Sequence, residues 1–124
     1  SAFGPDDYDT RARQVAGFLA DRLANTDDPA DAVMCVTDSD VFYVAAACRL
    51  LGLEPNRDVA IVGYDNYCRE CHELAWEPTL PLATIDKLDY RRGERLAELA
   101  LQRANGELPE APQRVLLNPE LITL

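Results

Sequence analysis

Lysine and histidine each occur once, at Lys87 and His72, in a chain of 124 residues. The other eleven cations are arginines, set against 22 acidic residues, so the formal net charge is −10. Clustered positive charge, which phosphate neutralisation requires, is therefore missing, and no lysine-rich tail is present for DNA or anionic lipid. No apolar run is long enough to cross a bilayer, and the N-terminus lacks a basic stretch followed by an apolar one. The expected compartment is the cytoplasm. Also missing are a glycine-rich phosphate loop, a serine in a nucleophile elbow and a histidine with a paired base, so neither enzymatic activity nor a cofactor is expected. Four cysteines without an export signal do not make a disulfide framework.

What is present fits one globular domain. Hydrophobic residues make up 48% of the chain and charged residues 27%, a balance that supports a buried core. Asp6, Asp7 and Asp9 open a helical stretch ending near Asn25, on which Val15, Phe18, Leu19 and Leu23 recur at helical spacing. The apolar run Ala32–Thr37 fits a strand buried on both faces. Asp38, Ser39 and Asp40 supply capping chemistry for a second helix with the stripe Val41, Val44, Ala45, Cys48 and Leu51, closed by Gly52. Val59–Val62 reads as a second buried strand, stopped by Gly63. Helix, strand, helix and strand alternating with short connections is the pattern of a parallel α/β sheet. Residues 66–81 break the periodicity and read as a long loop. A short strand at Leu82–Ile85, a helix from Asp89 to Asn105, and extended segments at Val115–Leu117 and Leu121–Leu124 complete the chain. Cys35 and Cys48 fall in apolar patterns and read as small buried hydrophobes.

The stretch Arg57-Asp58-Val59-Ala60-Ile61-Val62-Gly63-Tyr64-Asp65-Asn66 follows a strand ending in Thr37-Asp38 and a helix ending Leu50-Leu51-Gly52-Leu53. Together these resemble the effector-binding domain of LacI/GalR transcriptional regulators. Pro81-Leu82-Ala83-Thr84-Ile85, the helix to Gly106 and Leu116-Leu117-Asn118-Pro119-Glu120-Leu121-Ile122 resemble its later segments. The resemblance implies an α/β three-layer sandwich with a mainly parallel sheet, one lobe of a periplasmic-binding-protein-like fold. Residues 1–124 then form a single effector-binding subdomain, with the DNA-binding head and the first half of the effector domain outside it. It further implies a small sugar-like effector, DNA contact only through that head, and pairing as a homodimer.

Ligands of open α/β sheets bind beyond the carboxyl ends of the strands. Thr37, Asp38, Asp65 and Asn66 belong to such ends, where carboxylates and hydroxyls can share hydrogen bonds with vicinal sugar hydroxyls. Asp38 as a helix cap and Asp65 as a turn residue are the plainer alternatives. Lys87, beside the equivalent of a hinge at Asp89 and Tyr90, joins the candidate set, with Tyr8 and a possible stacking platform at Trp76. The chain departs from the family in carrying Thr37-Asp38 instead of an Asn–Asp pair, and Phe42-Tyr43 where small residues are usual.

Cys68-Arg69-Glu70-Cys71-His72 has the spacing of a c-type haem attachment. Zinc ligation and a redox dithiol are further possibilities for these residues, but no fourth ligand lies nearby, and an ordinary polar loop with no metal is the simplest reading. Asp-rich strand ends with Lys87 also leave open a receiver-like signalling module. The helix 89–105 has an apolar side (Leu96, Leu99, Ala100) that needs covering, which again points to association. From its charge alone, the chain should show no salt-dependent binding to duplex DNA. Micromolar binding that weakens steeply between low and moderate salt, read by fluorescence anisotropy, would contradict that expectation.

Overall fold

The computed structural model describes residues 4–124. Seven main elements follow the order α1 (Pro5–Leu23), β1 (Ala32–Met34), α2 (Asp38–Leu50), β2 (Ala60–Val62), β3 (Ala83–Asp86), α3 (Asp89–Ala104) and β4 (Glu120–Thr123). Two short 3-10 turns, Cys68–Glu70 and His72–Ala75, lie between β2 and β3. No helix of the described residues is long and apolar enough to cross a membrane.

Local chemistry accounts for the helix ends. Pro5 occupies the first turn of α1, where its missing N–H costs nothing, and Asp7 Oδ2 accepts from the Gly4 N–H at 3.3 Å. Gly52, at φ 78°, takes the left-handed position that ends α2, a conformation open to glycine without a Cβ penalty. Asn56 adopts φ 63° in the next turn, and its side chain ties that turn down, accepting from Ile61 N and donating to Leu80 O.

The four strands lie in the order β1-β2-β3-β4. β1 and β3 run parallel to β2, with Val33 beside Ile61 and Val62 beside Ala83. β4 returns antiparallel to β3, pairing Thr84 with Ile122. The sheet is thus the mainly parallel α/β sheet that the alternating pattern implied. Side chains alternate across it, so Val33, Ile61, Gly63 and Thr84 share one face. That face meets α2, backed by α1. Val41, Val44, Ala45 and Cys48 of α2 close over Ile61 and Val59, and Leu23 joins them from α1. Burial of side chains such as Val41 and Ile61 contributes about 1.5–3 kcal/mol each.

The opposite face is largely open. Met34 is 64% exposed and Leu121 67% exposed, so the described residues supply two layers of the expected sandwich. β1 is correspondingly a three-residue strand with one inward side chain, not a strand buried on both faces. Phe18, placed by its spacing on the inner stripe of α1, points outward at 84% exposure. Small residues did the packing instead: Ala12 and Ala16 are buried and let α1 lie close against α2. Val115–Leu117 forms no strand.

Gly63 is the tightest point of the sheet. A Cβ there would sit 2.0 Å from Asp38 Oδ1 and 3.2 Å from a methyl of Val41. Gly63→Ala should therefore lower stability by about 3 kcal/mol, because neither a strand backbone nor a hydrogen-bonded carboxylate can move aside cheaply. Urea unfolding monitored by circular dichroism measures this. A loss under about 1 kcal/mol would mean that the Asp38 side chain relocates freely.

Candidate functional site: the strand-end rim

Three chain reversals meet at the carboxyl ends of β1, β2 and β3. The first is the β1-to-α2 connection at Thr37. The second leaves β2 through Tyr64, Asp65 and Asn66, and the third turns from Asp86 through Lys87 and Leu88 into α3. Asp65 (φ 98°), Asn66 (φ 54°) and Leu88 (φ 58°) all adopt positive φ, which β-carbon-bearing residues rarely do.

Hydrogen bonds hold two of these reversals against each other. Asp65 N donates to Ile85 O at 2.8 Å, and Asn66 N donates to Thr84 Oγ1 at 3.1 Å. The Asn66 side-chain amide donates to Asp86 Oδ2 at 2.9 Å, while Asp86 Oδ1 accepts from Leu88 N at 2.7 Å. The Leu88 N–H first, and the Asn66 amide second, hold the Asp86 carboxyl below the usual aspartate range. Lys87 Nζ lies 2.7 Å from Asp65 Oδ1 and 4.0 Å from Asp89 Oδ2, and 5.9 Å from the centre of the Tyr64 ring. Its pKa is raised above the ordinary lysine value, chiefly by the Asp65 carboxylate. The Lys87–Asp65 contact is an ion pair off the hydrogen-bonding direction, and Asp65 Oδ1 has no other donor.

Asp65, Asn66 and Lys87 are thus brought together, as their positions at strand ends implied. Thr37 is close to the same region but engaged, its hydroxyl 2.5 Å from the Tyr67 hydroxyl. Tyr67 and Asp86 complete the rim, and neither was singled out from the sequence. The detectable signal for Asp86 was its place at the end of a strand; Tyr67 lay in an aperiodic loop.

Asp38 has a different role from either expected one. It is the first residue of α2, completely buried, and makes no capping contact there. Its Oδ2 accepts from Tyr67 N at 2.7 Å and Cys68 N at 3.0 Å, and its Oδ1 from Thr84 Oγ1 at 2.7 Å. Both oxygens are thus engaged by protein donors and the residue has no exposed surface.

Tyr8 and Trp76 take part in none of the rim contacts; Tyr8 is buried and Trp76 half-buried, and both line a concavity with Arg13, Arg49 and Glu77. Tyr8 is buried, donates its hydroxyl to Phe42 O at 3.0 Å, and stacks between Tyr43 (ring centres 5.1 Å apart) and Trp76 (5.4 Å). Tyr43 donates to Glu73 Oε1 at 3.1 Å, and Arg49 joins Glu54 at 2.9 Å to the buried Glu77 at 3.2 Å. This cluster pins the 66–81 loop to α1 and α2. Its aromatic rings hold the fold, with Tyr8 and Trp76 packed against each other away from Asp65, Asn66 and Lys87.

Cys68 and Cys71 are buried against Phe42, Tyr8 and Tyr43. Among the described residues, no group of three or more His, Cys, Asp or Glu side chains is placed to hold a metal ion, so Cys68, Cys71 and His72 form no such centre. Burial first, and the nearby Glu73 carboxylate next, push the Cys71 thiol up to about 12; Cys35 also reaches about 12 through burial. Burial likewise raises Cys48 and Cys68. Since the thiolate is the reactive form, iodoacetamide at pH 8 should leave all four unmodified in the native chain and alkylate all four in guanidinium. Mass spectrometry showing rapid native labelling of Cys71 would refute that burial.

No family model matches the chain. Similarity to known proteins is nevertheless clear. The chain is 33% identical over 109 residues to the HTH-type transcriptional repressor PurR of Vibrio vulnificus (strain CMCP6), covering 87% of the chain and 30% of that protein. It is 29% identical over 109 residues to the PurR repressor of Vibrio parahaemolyticus serotype O3:K6, again covering 87% of the chain and 30% of the relative. The chain therefore spans just under a third of the length of these relatives. Among solved structures, it matches a transcriptional regulator CelR–cellobiose complex with a TM-score of 0.67 and 24% identity, over 94% of the chain and 32% of that protein. Sequence relationship and fold agree with the pattern around Asp58–Asn66, and the chain is a homologue of LacI-family regulators, matching a part of their length.

Proposed function

We propose that the chain is part of the effector-sensing portion of a LacI-type transcriptional regulator and contributes one wall of the site for a small polyhydroxylated effector. The observation that carries this reading is Asp65. It follows β2 at the rim with its side chain 23% exposed, its enclosed Oδ1 faces the Lys87 ammonium, and its neighbours Asn66 and Lys87 can donate. A carboxylate beside an ammonium suits vicinal hydroxyls, which donate to the one and accept from the other. The CelR relative in complex with cellobiose supports a carbohydrate as the class of effector.

In this reading, ligand held between this wall and a second lobe favours one arrangement of the lobes, and a DNA-binding head in the longer protein reads that arrangement. The protein is not an enzyme, acts in the cytoplasm, and works as a homodimer. The open sheet face and the exposed Leu96 and Leu101 of α3 are apolar surface of the kind that a second lobe or a second subunit covers. A stand-alone metal-binding module is not favoured, since among the described residues no group of three or more His, Cys, Asp or Glu side chains is placed to hold a metal ion.

The test uses the longer protein that carries this chain, titrated calorimetrically with a panel of neutral mono- and disaccharides that includes cellobiose. Asp65→Asn should weaken binding by about tenfold to a hundredfold, the value of a hydrogen bond to a charged group. The same change should cost at most about 1 kcal/mol of stability, since the ion pair is partly exposed. Asparagine is the appropriate replacement because it tolerates the positive φ that alanine does not. Undiminished binding by the variant, or no binding of any sugar by the wild type, would reject the reading.

A further inference from the structure

Tyr67 brings to the rim a hydroxyl that completes a row of polar groups across the strand ends. β1 pairs Met34 with Val62, and β2 pairs Val62 with Ala83. Extended by three residues, that register sets Thr37, Asp65 and Asp86 side by side. Neighbouring strands lie about 4.8 Å apart, so the three residues form one continuous line. Backbone contacts past the strands keep it: Cys35 N donates to Val62 O and Asp65 N to Ile85 O, each at 2.8 Å.

Tyr67 is held at two points. Its N–H donates to the buried Asp38 Oδ2 at 2.7 Å, and its hydroxyl lies 2.5 Å from that of Thr37. Both side chains are half-buried. Two hydroxyls carry two hydrogens, and the contact between them uses one. Among the described residues neither hydroxyl has another partner. The pair therefore presents one O–H donor to whatever lies over the rim, whichever oxygen carries it. A phenol has few rotamers, and this one is fixed at both N–H and O–H, so the donor is aimed before a ligand arrives. Asp65 stands next in the row as an acceptor, with Oδ1 enclosed against Lys87 and Oδ2 left for a ligand. A hydroxyl lying between them can donate to the carboxylate and accept from the pair, through two bonds of about 2.7–2.8 Å. In such a chain each bond polarises and strengthens the next.

On the effector reading of the rim, on which this depends, we infer that Tyr67 is a specificity-determining residue of the site. Through the Tyr67–Thr37 hydroxyl pair it donates to the same effector hydroxyl that Asp65 accepts from. Thr37 is its positioning partner and holds the phenol beside Asp65. An analogue lacking that one hydroxyl leaves both a donor and an acceptor unpaired, so the site rejects it more strongly than a carboxylate alone would.

The test is calorimetric titration of the longer protein that carries this chain. The probes are cellobiose, maltose, glucose, galactose and ribose, then monodeoxy analogues of whichever binds most tightly. Tyr67→Phe, which keeps the ring and removes the hydroxyl, should weaken binding of that sugar by about threefold to tenfold. Thr37→Val should weaken it similarly, the double variant should be no worse than the poorer single one, and Thr37→Ser should restore wild-type affinity. One monodeoxy analogue should bind the wild type about tenfold or more weakly than the parent sugar, and should bind Tyr67→Phe at least as tightly as it binds the wild type. A tyrosine that only braces the loop would, when changed to phenylalanine, weaken every analogue by the same factor, and that result would overturn the inference. So would undiminished binding by Tyr67→Phe where Asp65→Asn binds poorly, an outcome that leaves the effector reading standing. Failure of the wild type to bind any of the sugars rejects both together.

Discussion

A carboxylate placed where no water reaches it must find all its partners in the protein, and Asp38 does so by drawing four segments together. The chain of α2 brings it in, β3 supplies the Thr84 hydroxyl, the start of the 66–81 loop supplies two backbone N–H groups, and β2 passes beneath it at Gly63. A buried charge that loses its donors costs about 3–5 kcal/mol, a large fraction of the stability of a domain this size. The directional requirement also decides geometry. The loop after β2 must turn back over α2 at Tyr67, and the strand beneath must carry no side chain. The rim is built outward from that anchor, since Asp65 and Asn66 are the residues between the fixed strand end and the fixed loop.

Above the anchor, the rim is polar and holds residues at positive φ; beside it, α3 has no buried residue. The open sheet face and α3 are the parts of the chain that expose the most apolar surface, and the chain spans just under a third of its relatives' length.

The 66–81 loop stays ordered by a different means. Aperiodic in sequence, it is held by stacked rings at Tyr8, Tyr43 and Trp76 and by paired charges at Arg49 and Glu77. Its two cysteines are part of that packing. Their spacing suggests ligand or redox chemistry only while the chain is read as a line; in the fold the thiols are enclosed by aromatic rings and their deprotonation is opposed by burial.

Element identity and order were legible in the sequence because they depend on local periodicity and turn chemistry. The helices 38–50 and 89–104, the parallel arrangement of β1, β2 and β3, the turn at Gly52 and the strand-end position of Asp65 all follow from neighbours in the chain. So did the relationship to LacI-type regulators, carried by the run from Asp58 to Asn66. What only the tertiary structure decided were the partners of polar groups. Asp38 is identical in sequence to a helix cap, yet its donors come from residues 29 to 46 positions away, and no local pattern encodes them. The stacking of Tyr8 on Tyr43 and Trp76 joins residues far apart in the chain and has no local signal. Phe18 is exposed and Ala12, given no role by the sequence pattern, is buried, because close approach of two helices favours small side chains over large ones, a constraint that exists only once the second helix is there.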